Sequence, residues 1–525
     1  MTRLPRATLA SILFLGLALR VAYFVHALRT PGFVWQDPDG YVTQALRLTA
    51  HGWHWTFQAV TYRINDQIHA LPPMYPVFLS VFALFPRFPL TAQVAQLLLS
   101  VVAIGLVFAL GRSVHSVRTG LIAAAAYAVW VPNINNVWST SQETLYVPLI
   151  LAAFLLLLRA IERDDGWVRF VVAGLAFSVA ALTRSMPLFF ALPAAGAHVA
   201  LAADRSRATL QAAAFLAGFV LLTAPYSAAL SRYFGQVTVI DTHGSIHLDS
   251  ESESGVLAPG LGETAGGLWR AVSTRPGAYL AESLARARSL FHVNGGRILQ
   301  IYVVADTRLR AIAWKAAVLA GSDVLLVVAT ILAAPGAALC RRPRLVVFLL
   351  IWIAINVGIA SAGGFGGARL RAPFEPLLLV LAAVVCAGEW RRPRLPVLGL
   401  ALVTSAVAAL AVLPQLPASL RAWPDYGVKW PSIFTRHEGD VVGTAGLSVP
   451  AYAGTATLDA VPTGDIPVLL HVVVAGVPDQ ILQLAPGQIT SIRARWPSLG
   501  LAFVELTASG PSGAREAVRV VVPGR

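Results

Sequence analysis

Arginine falls between long apolar runs in this 525-residue chain, and that spacing leaves few folds open. Runs such as Val171–Leu182 and Leu345–Ala360 carry no charge at all. Hydrophobic residues make up 56% and charged ones 13%, against about 45–50% and about 25% in an ordinary soluble domain. The balance of 40 basic and 26 acidic residues gives +14. A basic soluble face would point to nucleic acid. Here the charge sits at the ends of apolar segments, as it does beside membrane helices. The pattern excludes a disordered chain, a nucleic-acid binder and, with two cysteines, a disulfide scaffold.

Ala7–Leu28, preceded by Arg3 and Arg6, is long enough to cross about 30 Å of hydrocarbon at about 1.5 Å per residue. No small-residue cleavage site marks it as a signal peptide, so it reads as a first span with its amino end inside. Further spans are expected at 90–111, 119–132, 143–160, 168–183, 186–203, 209–230, 311–334, 345–361, 374–389 and 395–413. The connections this threading puts inside are 112–118, 159–169, 204–207, 341–344 and 391–394, and each carries arginine. Outside fall 29–89, 133–142, 184–185, 231–310, 361–373 and everything beyond 414. Counting spans and locating arginines agree on sidedness. With no transit peptide, the expectation is an integral protein of a bacterial cytoplasmic (inner) membrane. The amino terminus lies inside.

Residues 1–417 therefore read as a polytopic transmembrane helical bundle of about eleven spans, mainly α. In its outer loops, Gly40–Gly52 has an amphipathic helix pattern, and Leu71–Phe85 opens on Pro72-Pro73 as a second interfacial helix. A helix is also expected over Ala278–Phe291. Residues 418–525 are different chemistry, with eight basic and eight acidic residues. Short β-rich runs at Thr455–Val461, Val468–Val474, Ile489–Arg495, Ala502–Thr507 and Ala517–Val522 are separated by turn signals. They predict a C-terminal extracytoplasmic β-sandwich. Cys340 and Cys386 lie at inner helix ends, where no disulfide is expected. CxxC, HExxH and Gly-Lys-Ser/Thr phosphate-loop motifs are absent from the sequence.

Carboxylates beside a membrane are costly unless they have work to do. Asp37 and Asp39 stand just past the outer end of the first span. Two acids so spaced can hold a divalent cation such as Mg or Mn, with Asp39 the ligand, or act as base and partner. Either can instead cap the helix that begins near Gly40. The same outer face collects Glu143, Arg184, and the run Arg369-Leu-Arg371-Ala-Pro-Phe-Glu375-Pro. It also holds His69 ahead of Pro72-Pro73-Met74-Tyr75-Pro76. Outward arginines run against the positive-inside bias, and a guanidinium suits phosphate oxygens. A charged lipid phosphate beside a hydroxyl acceptor needs such groups. His243, His247, Asp249, Glu251 and Glu253 match no usual metal spacing and read as a solvated loop.

Asp37-x-x-x-Tyr41, the Ala-x-x-Leu helix, the Gly52 turn and Pro72-Pro73-Met74-Tyr75-Pro76 together resemble the amino-terminal signature of the GT-C membrane glycosyltransferases. The likeness is to the protein O-mannosyltransferase, aminoarabinose transferase and lipopolysaccharide galacturonosyltransferase group. Gly111-Arg112, Leu182-Thr183-Arg184 and Arg369-x-Arg371-x-Pro373 extend it over about residues 1–390. The resemblance implies inverting transfer of a sugar from a polyprenyl-phosphate donor to a glycan, lipid or protein acceptor outside, among membrane lipids. It implies Asp37 as catalytic base, with Asp39 as its helper. Arg184, Arg369, Arg371 and His69 would hold the donor phosphate, and Tyr41, Tyr75 and Glu143 would line the substrate pocket. Pro38 stands where the family often has Glu, and Leu71 where a basic residue often precedes the proline pair.

Two rivals make different demands. A transporter or flippase for a lipid-linked sugar needs ionisable residues in mid-membrane and inverted repeats. Asp323 and Lys315 are the nearest to that description, and no repeat is evident. A non-enzymatic envelope assembly protein working through its β-domain leaves the outer acids and arginines unused.

Overall fold

The computed structural model describes residues 3–29, 41–50, 61–64, 67–138, 140–163, 166–235, 237–241, 269, 272–274, 276–291, 313–362, 368–414 and 416. In the tail it describes 438–442, 444–451, 455–462, 467–474, 480–486, 488, 490–495, 500–509 and 517–521. Its helices run, in order, α1 Arg3–Arg29, α2 Tyr41–Ala50, α3 Met74–Ala83, α4 Leu90–Val114, α5 Val117–Ala128, α6 Val131–Asn135, α7 Glu143–Arg163 and α8 Trp167–Thr183. There follow α9 Pro187–Leu201, α10 Arg205–Phe234, α11 Pro276–Leu290, α12 Ala313–Leu339, α13 Pro343–Ala362, α14 Glu375–Ala387 and α15 Leu395–Val412. A helix occupies each segment read from the sequence as a span. Local chemistry sets their ends: the Ser116 hydroxyl accepts from the Thr119 N–H at 3.2 Å, and Asp204 accepts from Arg207 N–H at 3.1 Å. Gly388 closes α14 in the left-handed conformation at φ 73°, where a Cβ would be strained.

Among the described residues seven helices are long and apolar enough to cross a membrane: α1, α4, α7, α10, the 321–339 part of α12, α13 and α15. The four expected spans that fall short are α5, α8, α9 and α14. They share a reason. Each stops early at one end of the bundle, where α5 leaves helix at Val129, α8 and α9 meet at 184–186, and α14 begins only at Glu375. The connection from α5 to α7, with its single short helix α6, is buried there at Trp130, Asn133, Asn135, Thr140 and Ser141. Non-helical chain at membrane depth is tolerated only when protein surrounds it.

The arginine-bearing connections gather at the opposite end. The Arg341 N–H donates to His115 Nδ1 at 3.2 Å, Arg342 donates to Ser113 O at 2.8 Å, and Arg391 N–H donates to Leu339 O at 3.1 Å. Arg342 also pairs with Glu162. His115 is buried, and that desolvation, with Arg341 beside it, lowers its pKa below the ordinary value.

Between the ends the helices pack through small residues. A Cβ on Gly174 of α8 would meet Phe215 O of α10 at 2.0 Å, and the facing Gly218 meets Val171 O at 2.3 Å. Such approach is how membrane helices gain contact without a hydrophobic driving force. Gly174→Val should push α8 and α10 apart and cost about 1–3 kcal/mol, the usual range for an overpacked core. The check is a lowered midpoint in thermal unfolding of the detergent-purified protein, and an unchanged midpoint would show that the contact is dispensable.

Before the bundle, strands β1 Thr61–Ile64 and β2 Gln67–Ala70 form an antiparallel hairpin that periodicity did not signal. The amphipathic α2 turns Tyr41, Val42, Ala45 and Leu48 inward, and it packs against α3. The tail holds β3 Glu438–Val442, β4 Thr444–Ala451, β5 Thr455–Pro462, β6 Val468–Val474, β7 Gln480–Leu484, β8 Thr490–Arg495, β9 Gly500–Ser509 and β10 Ala517–Val521. They make two four-stranded antiparallel sheets, β3-β10-β5-β8 and β4-β9-β6-β7. The sheets touch through β4 with β5 and β3 with β9, a sandwich with Ala460, Val468, Leu470 and Leu484 buried. The five runs read as strands are β5, β6, β8, β9 and β10; the other three strands were not expected.

Candidate active site

Polar residues accumulate where the short helices stop. Glu143 opens α7 and is fully buried at 0% exposure. Its Oε1 accepts from Arg184 Nη1 at 2.9 Å, and its Oε2 accepts from the Ser141 hydroxyl. Arg184 is the residue at which α8 breaks, and its side chain has no other partner among the described residues. The 368–371 turn ahead of α14 builds a second buried pair, with Arg371 Nε donating to Glu375 Oε1 at 2.7 Å. Arg371 Nη1 donates to Leu290 O at 2.6 Å, and Trp130 Nε1 donates to Glu375 Oε2 at 2.8 Å. One carboxylate thus joins the end of α5 to α14, while its arginine holds the last turn of α11. That helix is strapped to α13 by Arg286 Nε donating to Ser361 O at 2.7 Å. Two arginines expected to grip phosphate therefore each carry a buried carboxylate, so each pair is neutral overall.

A third guanidinium, deep in α1, was not singled out by the sequence reading. Arg20 is 0% exposed, and all its partners are neutral: Ser100 Oγ at 2.6 Å, Gly16 O at 3.0 Å, Ala128 O at 2.9 Å and Asn133 Oδ1 at 2.6 Å. Ser100 donates on to Asn133, whose Nδ2 donates to Tyr127 OH at 2.7 Å. Arg20 therefore pins α1, α4, α5 and α6 together. Its sequence signal is a lone arginine inside an apolar span.

Tyr41 and Tyr75 stack edge to face with ring centroids 4.9 Å apart, both buried, and Tyr75 OH donates to Gln96 Oε1 at 2.6 Å. They join α2, α3 and α4 beside the beginning of the 72–76 proline run. His69 lies in β2 opposite Tyr62, and Arg369 lies in the turn that also carries Arg371. Asp37, Asp39, His243, His247, Asp249, Glu251 and Glu253 lie outside the described residues. Among the described residues no three His, Cys, Asp or Glu side chains converge to hold a metal ion.

The molecule is thus a helical bundle of membrane-spanning type with a buried polar floor at one end and a β-sandwich tail. Residues 70–230 match the model of the dolichyl-phosphate-mannose-protein mannosyltransferase family, a GT-C family. Among solved structures, the chain is similar to the oligosaccharyltransferase of Archaeoglobus fulgidus in its apo form, with TM-score 0.46 and 16% identity, covering 81% of this chain. The archaeal oligosaccharyltransferase AglB from the same organism, bound to an inhibitory peptide and a dolichol-phosphate, matches with TM-score 0.43 and 16% identity, covering 80% of this chain. The chain spans 56% of the length of either solved chain. No curated protein matches it.

Proposed function

We propose that the protein is an integral membrane glycosyltransferase that moves a sugar from a polyprenyl-phosphate donor to an acceptor at the non-cytoplasmic face. The observation that carries this reading is the buried Glu143–Arg184 pair. It stands where α7 and α8 open toward one end, inside the segment that matches the mannosyltransferase family. In the proposed reaction an acceptor hydroxyl oxygen attacks the anomeric carbon, and the bond from that carbon to the phosphate oxygen breaks. Asp37 takes the acceptor proton, and polyprenyl phosphate leaves with the electron pair. Attack from the side opposite the leaving group inverts the centre. Asp37 and Tyr41 are four positions apart, a tether that spans at most about 14 Å. The guanidinium groups of the same end, with His69, stabilise the phosphate as its charge grows. Asp39 supports Asp37, either directly or through a bound divalent cation.

Membranes carrying the protein, supplied with polyprenyl-phosphate hexoses and envelope acceptors, should release polyprenyl phosphate in step with new glycan. Membranes lacking the protein should not. Equal release in both would overturn the reading. Thorough chelation tests the cation: loss of transfer that Mg or Mn restores supports Asp39 as a ligand, and an unchanged rate removes that role.

A further inference from the structure

One turn below the Glu143–Arg184 pair the α7 helix carries a group the proposed reaction does not use. Tyr146 is 0% exposed, and its hydroxyl has no hydrogen-bond partner among the described residues. It lies within electrostatic reach of Arg184. Gln142 stands in the turn that opens α7, four residues earlier, where its backbone O accepts from the Tyr146 N–H at 2.9 Å. The Gln142 Oε1 is also buried without a partner. Among the described residues Arg184 commits only Nη1, to Glu143, which leaves Nε and Nη2 as unengaged donors at a side chain 10% exposed. Buried polar groups are nearly always hydrogen-bonded, and an unsatisfied one costs about 1–3 kcal/mol. Three side chains with unmet capacity, at the opening of α7 and the end of α8, are thus available to one ligand.

The chemistry of that capacity selects it. The Arg184–Glu143 pair is neutral, so this corner offers no net charge to an anion. Gln142 sets an accepting oxygen beside a donating nitrogen, a pair that a hydroxyl answers in full and a phosphate oxygen, which only accepts, answers by half. Tyr146 can donate or accept, and the guanidinium edge only donates. Donors and acceptors side by side suit neutral vicinal hydroxyls, which are both at once. We infer that Tyr146, Gln142 and the unengaged edge of Arg184 form a subsite for ring hydroxyls of the transferred sugar. This rests on the glycosyltransferase reading and deepens it, moving Arg184 from the phosphate to the sugar and leaving the anionic link to Arg369 and His69.

Tyr146→Phe keeps the ring and removes only the hydroxyl. Binding to purified protein in nanodiscs would be measured for two probes: undecaprenyl phosphate alone, and undecaprenyl phosphate bearing glucose, galactose or mannose. The wild type should bind at least one sugar-bearing lipid more tightly than the bare lipid. In Tyr146→Phe that sugar-bearing lipid should weaken about three- to tenfold while undecaprenyl phosphate is unaltered. Gln142→Leu should behave alike, and a purely structural role would not split the two probes. Equal weakening of both probes, or of neither, would overturn the subsite while leaving the glycosyltransferase reading intact. A wild type that binds neither lipid would overturn that reading and the subsite with it.

Discussion

Asp37→Asn should lower glycan transfer by about a hundredfold to ten-thousandfold, the contribution of a positioned general base. That loss corresponds to about 3–5 kcal/mol of transition-state stabilisation. Asparagine keeps the shape of the side chain but cannot take the acceptor proton at neutral pH. Donor binding precedes the proton transfer, so the affinity for a polyprenyl-phosphate sugar should stay within about threefold of the wild type. The measurement is single-turnover transfer by purified protein in nanodiscs, run beside a binding assay with the same lipid. Asp39→Asn is the necessary companion, because the two acids stand two residues apart in the same loop. A smaller loss at Asp39 fits its place as helper. A larger loss there, with Asp37→Asn nearly active, would reverse the two assignments. If both variants retain full transfer, the first-loop base does not exist.

What the sequence discloses depends on how far apart the interacting residues lie. Helix positions were legible because each span is an apolar run closed by its own local signals, such as Ser116, Asp204 and Gly388. Five strands of the tail were legible by alternation. Glu438–Val442, with its two acids, and Thr444–Ala451, with its glycine and proline, break that alternation and went unread. The β1–β2 hairpin does carry a signal, since Asn65-Asp66 are turn-favouring residue types between two short runs. Within the candidate site, Arg371 and Glu375 are one helical turn apart, a spacing that invites pairing. Glu143 and Arg184 are 41 residues apart, and only the packing of α7 on α8 brings them together. Sequence put both arginines on one side, away from the arginine-bearing connections, but gave no means of seeing that each is already neutralised. Arg20 was hidden for the same reason, because its acceptors come from four helices and no single stretch contains them.

Removing one member of the Glu143–Arg184 pair should harm the protein more than removing both. Arg184→Met leaves a carboxylate at 0% exposure without the guanidinium that faces it. Such uncompensated burial costs about 3–5 kcal/mol. Glu143→Leu strands the guanidinium instead, at a comparable cost, although Arg184 retains a small opening through which water can reach it. The combined Arg184→Met/Glu143→Leu protein buries no charge at this point, and apolar replacements of buried pairs are often neutral. Its thermal midpoint in detergent should return to within a few degrees of the wild type, while each single variant falls well below. Additive losses in the double variant would mean that the two charges stabilise the fold independently. Stability alone gives no reason to keep such a pair, because leucine and methionine would fill the same space. A double variant that melts like the wild type yet transfers no sugar would therefore assign the charges to the reaction and not to the scaffold.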